Sequence, residues 1–329
     1  MHHLRALLIN RSLRNPWNLS NLRIMGFHEA LLHPAIPVTL FEVVPPAAAK
    51  PEALESSLHE LQQLHGRVDA INIPEIHDED RPGERTSKFI ERVEPRMFGS
   101  RLKRELGIDV VINRVTVHDP EPERWFRETL ETWDIAQCVL VGGESKEIQY
   151  PGPNPGEAAR IIKSLGLPTA LGGITIPSRV NEPERIRKKH VQGVDFFTSQ
   201  VMFDSNDLVW LIQRLNGVEA RIFVSFAPVS SRRDLEFLRW LGVDIPRDLD
   251  RFLLGPQEGQ AAPAHTCLER SINLAQRILM DVFDNLPPDP PPIGLNIEHI
   301  TRKNFAPALA MLDRLGNLYA SLVHKKFGF

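Results

Sequence analysis

Eight short apolar runs rich in β-formers recur along the chain, separated by segments that include several with apolar residues at helical spacing. The runs are VTLFEVV (38–44), VDAINI (68–73), IDVVINRVTV (108–117), AQCVLVGG (136–143), LPTALGGI (167–174), GVDFFTSQ (193–200), RIFVSFAP (221–228) and IGLNIEHI (293–300). Between them lie PEALESSLHELQQLHG, PERWFRETLETW, PGEAARIIKSLG, EPERIRKKHVQG and NDLVWLIQRLNG; several open on Pro or an acidic residue and close on Gly, as helices do. Eightfold alternation of strand and helix predicts an α/β chain closed into a (β/α)8 TIM barrel. A doubly wound open sheet is the competing arrangement, and the lack of a GxGxxG turn after the first run weighs against its dinucleotide-binding form.

Residues 36–329 are assigned to the barrel and 1–35 to an N-terminal extension, a surface helix or arm that either caps the amino end of the barrel or makes a subunit contact. Its short ALLI run is interrupted by Arg11 and Arg14 before any signal-peptide core forms. The connection over 229–292 holds SRRDLEFLRWLG and a long helix near 266–285 but no strand set of its own, so it reads as a helical insertion between strands 7 and 8. The cluster LPPDPPP (286–292) is a stiff connector, because proline fixes its own backbone and restricts its predecessor.

With 42% hydrophobic and 25% charged residues, the composition is that of a globular protein. A net charge of -3 gives no general attraction to nucleic acid or to an anionic membrane, and no apolar run approaches the roughly 20 residues that span a bilayer. Cys138 and Cys267 lie far apart and form no CxxC pair, which fits a reducing, cytoplasmic setting and argues against a cysteine zinc site. No metal site is expected: His77, Asp78, Glu79 and Asp80 read as a solvated acidic loop, and HEALLH (28–33) is poorly spaced for one helical face. No serine elbow, Walker loop or Cys–His pair points to a covalent nucleophile. Assembly into a homo-oligomer stays open.

Barrel strands become polar where they emerge at their carboxyl ends, the face that carries active sites in this fold. GVDFFTSQVMFD (193–204) does this, setting down Gln200 and Asp204 around Met202 and Phe203. In FEVVPP, Glu42 stands inside an apolar run, where desolvation raises a carboxyl pKa and prepares a general acid; a structural ion pair with Arg114 is the competing reading. The third run carries Asn113, Arg114 and Thr116, and the eighth carries Asn296, Glu298 and His299. Gly142 and Gly143, then Gly172 and Gly173, pair glycines at consecutive strand ends, which suggests a flat ligand over that rim unless they merely serve loops. RIRKKH (185–190) reads as a solvated helix face from which Lys189 could reach a phosphate.

FEVVPP resembles the first-strand motif of methylenetetrahydrofolate reductases, and RIRKKHVQGVDFFTSQVMFD is similar to their lysine-rich helix and following strand. FVSFAPVSSRRDLEFLRWLGVDIP is similar to their seventh strand and its helix, so the resemblance runs in order from about Phe41 to Leu315. In that family a flavin carries hydride from a nicotinamide cofactor to 5,10-methylenetetrahydrofolate, giving the 5-methyl product that feeds one-carbon metabolism and methionine biosynthesis. The resemblance implies Glu42 as the general acid that opens the folate's five-membered ring and Gln200 as a folate contact, with Met202 and Phe203 as an apolar floor for the pterin. Asn113 and Glu298 are expected on the substrate; Arg114, Thr116, Gly142, Gly143, Gly172, Gly173 and Lys189 are expected on the cofactor.

The departures fall on the flavin side. Arg114, Val115, Thr116 and Val117 replace the family's His-Leu-Thr-Cys, and Leu140, Val141, Gly142 and Gly143 replace its Leu-Arg-Gly-Asp. Its Tyr-Pro-Glu-x-His is Gly172 to Ile176 here. This pattern resembles the flavin-independent reductases of mycobacteria and implies direct transfer from NAD(P)H, with FAD the cofactor of the ordinary members. Two other readings stand beside it: a different one-carbon barrel enzyme acting on a pterin, and a barrel that binds folate without turnover.

Overall fold

The computed structural model describes residues 26–78, 89–143, 148–255 and 263–327. Its eight strands are β1 (Thr39–Val43), β2 (Ala70–Ile73), β3 (Asp109–Val115), β4 (Gln137–Val141), β5 (Ala170–Thr175), β6 (Phe196–Val201), β7 (Arg221–Phe226) and β8 (Ile293–His299). They pair in parallel and in chain order, and β8 closes on β1. The chain is a (β/α)8 barrel, with every strand inside or within one residue of the run that predicted it.

Helices α1 (Phe27–Leu32), α2 (Pro51–Leu61), α3 (Pro95–Leu106), α4 (Pro122–Glu131), α5 (Pro155–Ser164), α6 (Glu182–Val191) and α7 (Ser205–Arg214) precede β7. Then come α8 (Arg232–Trp240), α9 (Arg247–Leu254), α10 (Ala264–Asp284) and, after β8, α11 (Phe305–Phe327). Helices α2 to α5 each open on proline, whose missing N–H costs nothing in a first turn. Gly107 ends α3 at φ 64°, a left-handed geometry that side chains resist. Between β7 and β8, α10 packs against α7 and α11 as a regular barrel helix, so the excursion beyond the repeat consists of α8 and α9.

Residues alternate between the barrel interior and the shell under the helices. Leu40, Ala70, Val111, Val139, Ala170, Phe196 and Phe223 fill the lower interior, while Phe41, Ile71, Ile112, Phe197 and Ile222 face the helices. Two strand positions farther toward the carboxyl ends, the interior turns polar with Glu42, Asn72, Asn113, Thr198 and Ser225. That change of character sets the working end.

The amino end is closed. Phe27, Ala30 and Leu31 of α1, with Ile36, pack into the lower interior cluster. Arg221, 1% exposed, gives its guanidinium to the carbonyls of Ala30, Leu31 and His33 at the end of α1 and to that of Ile293. A cation at a helix carboxyl end satisfies carbonyls that have no intrahelical partner. Tyr319 of α11 locks the same end, accepting from Val38 N at 3.0 Å and donating to Ile293 O at 2.7 Å. Of the extension, residues 26–35 thus cap the barrel; the arm read over its first residues lies outside the described residues.

Candidate functional site

At the open end two carboxylates stand side by side. Glu42 is in register with Glu298 across the β1–β8 seam and with Asn72 on β2. Asn72 donates to Glu42 Oε2 at 2.7 Å, and Ser225 hydrogen-bonds Glu298 while accepting from Asn296 Nδ2 at 2.9 Å. Each carboxyl keeps some surface at the mouth, yet no lysine or arginine shares this layer of described inward-facing residues. Burial pushes Glu42 up to about 7 against the pull of the Asn72 hydrogen bond. Burial first, and then the neighbouring Glu42, holds Glu298 well above the usual carboxylate range. Two like charges this close cannot both ionise, so the pair retains a proton near neutral pH.

The acid expected at Glu42 therefore stands at the mouth, and its partner is a second carboxyl. The ion pair with Arg114 does not form. Arg114 points into the shell, pairing with Glu75 at 2.6 Å and Asp119 at 2.7 Å, with its guanidinium 4.8 Å from the centroid of the Trp125 ring. Asn113 faces the interior at 8% exposure, and its Oδ1 has no partner among the described residues.

The mixed end of β6 is a β-bulge. Thr198 pairs with Phe223 but Val201 with Ser225, so three steps on β6 oppose two on β7. Ser199 fills the irregularity, donating to Gln200 O at 2.8 Å and accepting from Ser225 N at 3.0 Å. Gln200 then lines a narrow pocket of about 50 Å³ with Asp204, Asp207 and Asp244, apart from the carboxyl pair. Met202 is buried in the shell, and Phe203 packs with Leu235, Leu238 and Leu253 under the excursion. The apolar floor expected of these two is occupied by packing between the barrel and α8 and α9.

The residues expected to cradle a cofactor are committed elsewhere. The Thr116 hydroxyl donates to Val141 O and Pro153 O at 3.3 and 3.0 Å. A Cβ on Gly143 would lie 2.3 Å from the Tyr150 ring, and one on Gly172 would lie 2.5 Å from the Phe196 ring inside the barrel. Gly173 faces Phe197 in the shell, and Gly142 lies against Pro155. Lys189 donates to Ile174 O at 3.1 Å, 5.9 Å from the centroid of the Phe197 ring. Thr116, Gly143, Gly172, Gly173 and Lys189 thus each meet a packing or hydrogen-bonding need of the barrel itself, while Gly142 has only an ordinary contact with Pro155.

A cleft of about 840 Å³ begins one residue farther along β1 and β8, at Val43 and His299, and neither carboxyl is in its lining. Its walls include Val43, Val44, Pro45 and Pro46 after Glu42, His299 and Ile300 after Glu298, and Ser230 and Ser231 after β7. On the opposite rim, the rings of His77, His118 and Tyr150 form a row with centroids 5.2 and 5.4 Å apart. Asn72 and Ser225 were missed in the sequence. The available signal was a small polar residue at the inward position of an apolar strand, in AINI and FVSF.

Among the described residues there is no cluster of three or more potential metal ligands and no helix long and apolar enough to cross a membrane. Cys138 and Cys267 are both buried, and neither is in a disulfide. No family model matches the chain, and no curated protein is similar to it in sequence. Among solved structures it is similar to an uncharacterized protein from Clostridium thermocellum that binds two copies of 5-methyl-5,6,7,8-tetrahydrofolic acid. That likeness has a TM-score of 0.62 at 17% identity and covers 86% of this chain and 96% of the other. A weaker likeness, with a TM-score of 0.42 at 10% identity over 85% of this chain and 99% of that one, is to orotidine 5'-phosphate decarboxylase from Pyrococcus horikoshii. At such identities the likeness shows the fold.

Proposed function

We propose that this barrel binds a reduced folate at its open end and reduces 5,10-methylenetetrahydrofolate to 5-methyltetrahydrofolate with hydride taken directly from NAD(P)H. The carboxyl pair carries the reading: a buried acid that keeps its proton near pH 7 is what opening the folate's five-membered ring needs. Support also comes from the Clostridium thermocellum barrel, whose ligand is a 5-methyl folate.

In this mechanism the proton of the pair goes to N10, whose bond to the methylene carbon breaks and leaves an iminium at N5. Hydride from the nicotinamide adds to that carbon, giving the methyl group and the oxidised nucleotide, and the carboxyl regains its proton from water. Asn72 orients Glu42, and Ser225 with Asn296 orients Glu298. No step of this proposal runs through a flavin.

The test is anaerobic oxidation of NADH and NADPH by purified protein, with and without methylenetetrahydrofolate, after the absorption spectrum has been checked for flavin. Folate-dependent oxidation by colourless protein is expected. Glu42→Gln should lower the rate about 100-fold or more, the usual contribution of a general acid, with folate binding kept. No oxidation with either nucleotide, even after flavin is added back, overturns the reductase reading; folate binding that persists would then make the barrel a binding module.

A further inference from the structure

With the expected cofactor residues committed elsewhere, a nucleotide's negative charge has to be met by other groups. The 840 Å³ cleft beside the carboxyl pair is lined by Lys50, Arg92, Arg233 and Lys303, against the carboxylates Glu60 and Asp234. Asp234 is already engaged by Ser230 and Ser231, accepting three hydrogen bonds at 2.9 Å. None of the four cations is in an ion pair with a described residue. Among the described lining residues this is an excess of positive charge, on a chain whose net charge is -3.

Two further observations point to an anion. The N-termini of α2 and α8 open onto the cleft, and helix N-termini concentrate positive potential. Buried donors without acceptors stand in the same wall. Asn304 lines the cleft and is 2% exposed; its Oδ1 accepts from Thr301 N at 3.1 Å, but its Nδ2 has no partner among the described residues. Arg92 has the same incompleteness. It is held over the end of β1 by the antiparallel bridge between Ala47 and Arg92 and by a hydrogen bond to Pro45 O at 3.4 Å, while its buried Nε meets no described acceptor. Such donors are costly to keep unpaired and are satisfied by an oxyanion.

We infer that this cleft is a phosphate site, built to take the pyrophosphate of a nucleotide. In barrels of this kind the loops after strands 7 and 8 frequently hold phosphate, and Ser230, Ser231 and Arg233 after β7, with Lys303 and Asn304 after β8, occupy those places here. Phosphate matches the donor set because N–H donors from different elements line the one cleft. The apolar floor of Val43, Pro45, Pro46, Leu61 and Phe237 provides a surface for the rest of such a ligand. Identifying it as the nicotinamide donor rests on the proposed reaction; phosphate binding itself does not.

The experiment is calorimetric titration with ADP, inorganic pyrophosphate and, as a tricarboxylate of similar charge, citrate. ADP is expected to bind, pyrophosphate to displace it, and Arg92→Ala and Lys303→Glu each to weaken ADP about tenfold or more. Lys303 is exposed, so its variant tests the site without endangering the fold. Failure of ADP to bind, binding that neither substitution changes, or citrate binding where ADP does not would each overturn the phosphate site. The same variants are titrated with 5-methyltetrahydrofolate by fluorescence in the absence of nucleotide. Folate binding without ADP binding sinks the cleft alone, and ADP binding without folate binding sinks the folate reading alone.

Discussion

Glu42 and Glu298 share one fate, because the negative charge of either opposes ionisation of the other. At pH values above the ordinary 4.5, the folded pair holds protons that the unfolded chain has released. Folding stability contributed by these groups is therefore fully present below about 4.5 and declines as pH rises through about 7. Urea midpoints measured across that range should fall less steeply for Glu42→Gln than for the parent chain; parallel curves would remove the carboxyl pair from the pH dependence. The proposed reaction should respond differently. With Glu298 present, a proton remains on the pair after the first has left, so Glu298→Gln should shift the alkaline limb of the rate profile toward lower pH. An unmoved limb would reduce Glu298 to a structural neighbour.

Among the elements, β5 and β6 show how packing takes over positions that look functional. Phe196 and Phe223 meet edge to face inside the barrel with centroids 5.9 Å apart, and Gly172 provides the space for the first of them. Gly172→Ala would place a Cβ 2.5 Å from that ring and should cost about 1–3 kcal/mol, the usual penalty of overpacking. Gly142→Ala meets only Pro155 at 3.5 Å and should change stability by less than about 0.5 kcal/mol. Thermal denaturation of the two variants checks the contrast, and the opposite order would return Gly172 to the ligand. On β6 the polar residues that marked a strand end do mark it, yet the bulge between Thr198 and Val201 carries Gln200 away from the carboxyl pair.

Over the whole molecule, one end of the barrel is sealed and the other is equipped. Leu31, 1% exposed, is buried in the lower interior from a helix outside the eightfold repeat. Leu31→Ala should cost about 2–5 kcal/mol in urea unfolding while leaving the proposed folate binding at the mouth in place, since plug and mouth lie at opposite ends of the strands. Loss of binding at constant stability would contradict that separation. The strands, several of the helices and the long β7–β8 connection were legible in the sequence because period and punctuation are local signals; the helices over 95–106 and 305–327 were not named. Glu42 was legible too, since a carboxylate within an apolar run is too costly to bury without a partner or a task. The apolar pattern of each strand thus determined the barrel and which of its ends is polar. Only the closed tertiary structure decided that Glu42 lies beside Glu298 and not Arg114, that Lys189 bonds the Ile174 carbonyl and Gly172 makes room for Phe196, and that four distant cations meet in one cleft. Those outcomes depend on which strands become neighbours and on which side each residue faces, and contacts between residues hundreds of positions apart leave no mark on local spacing.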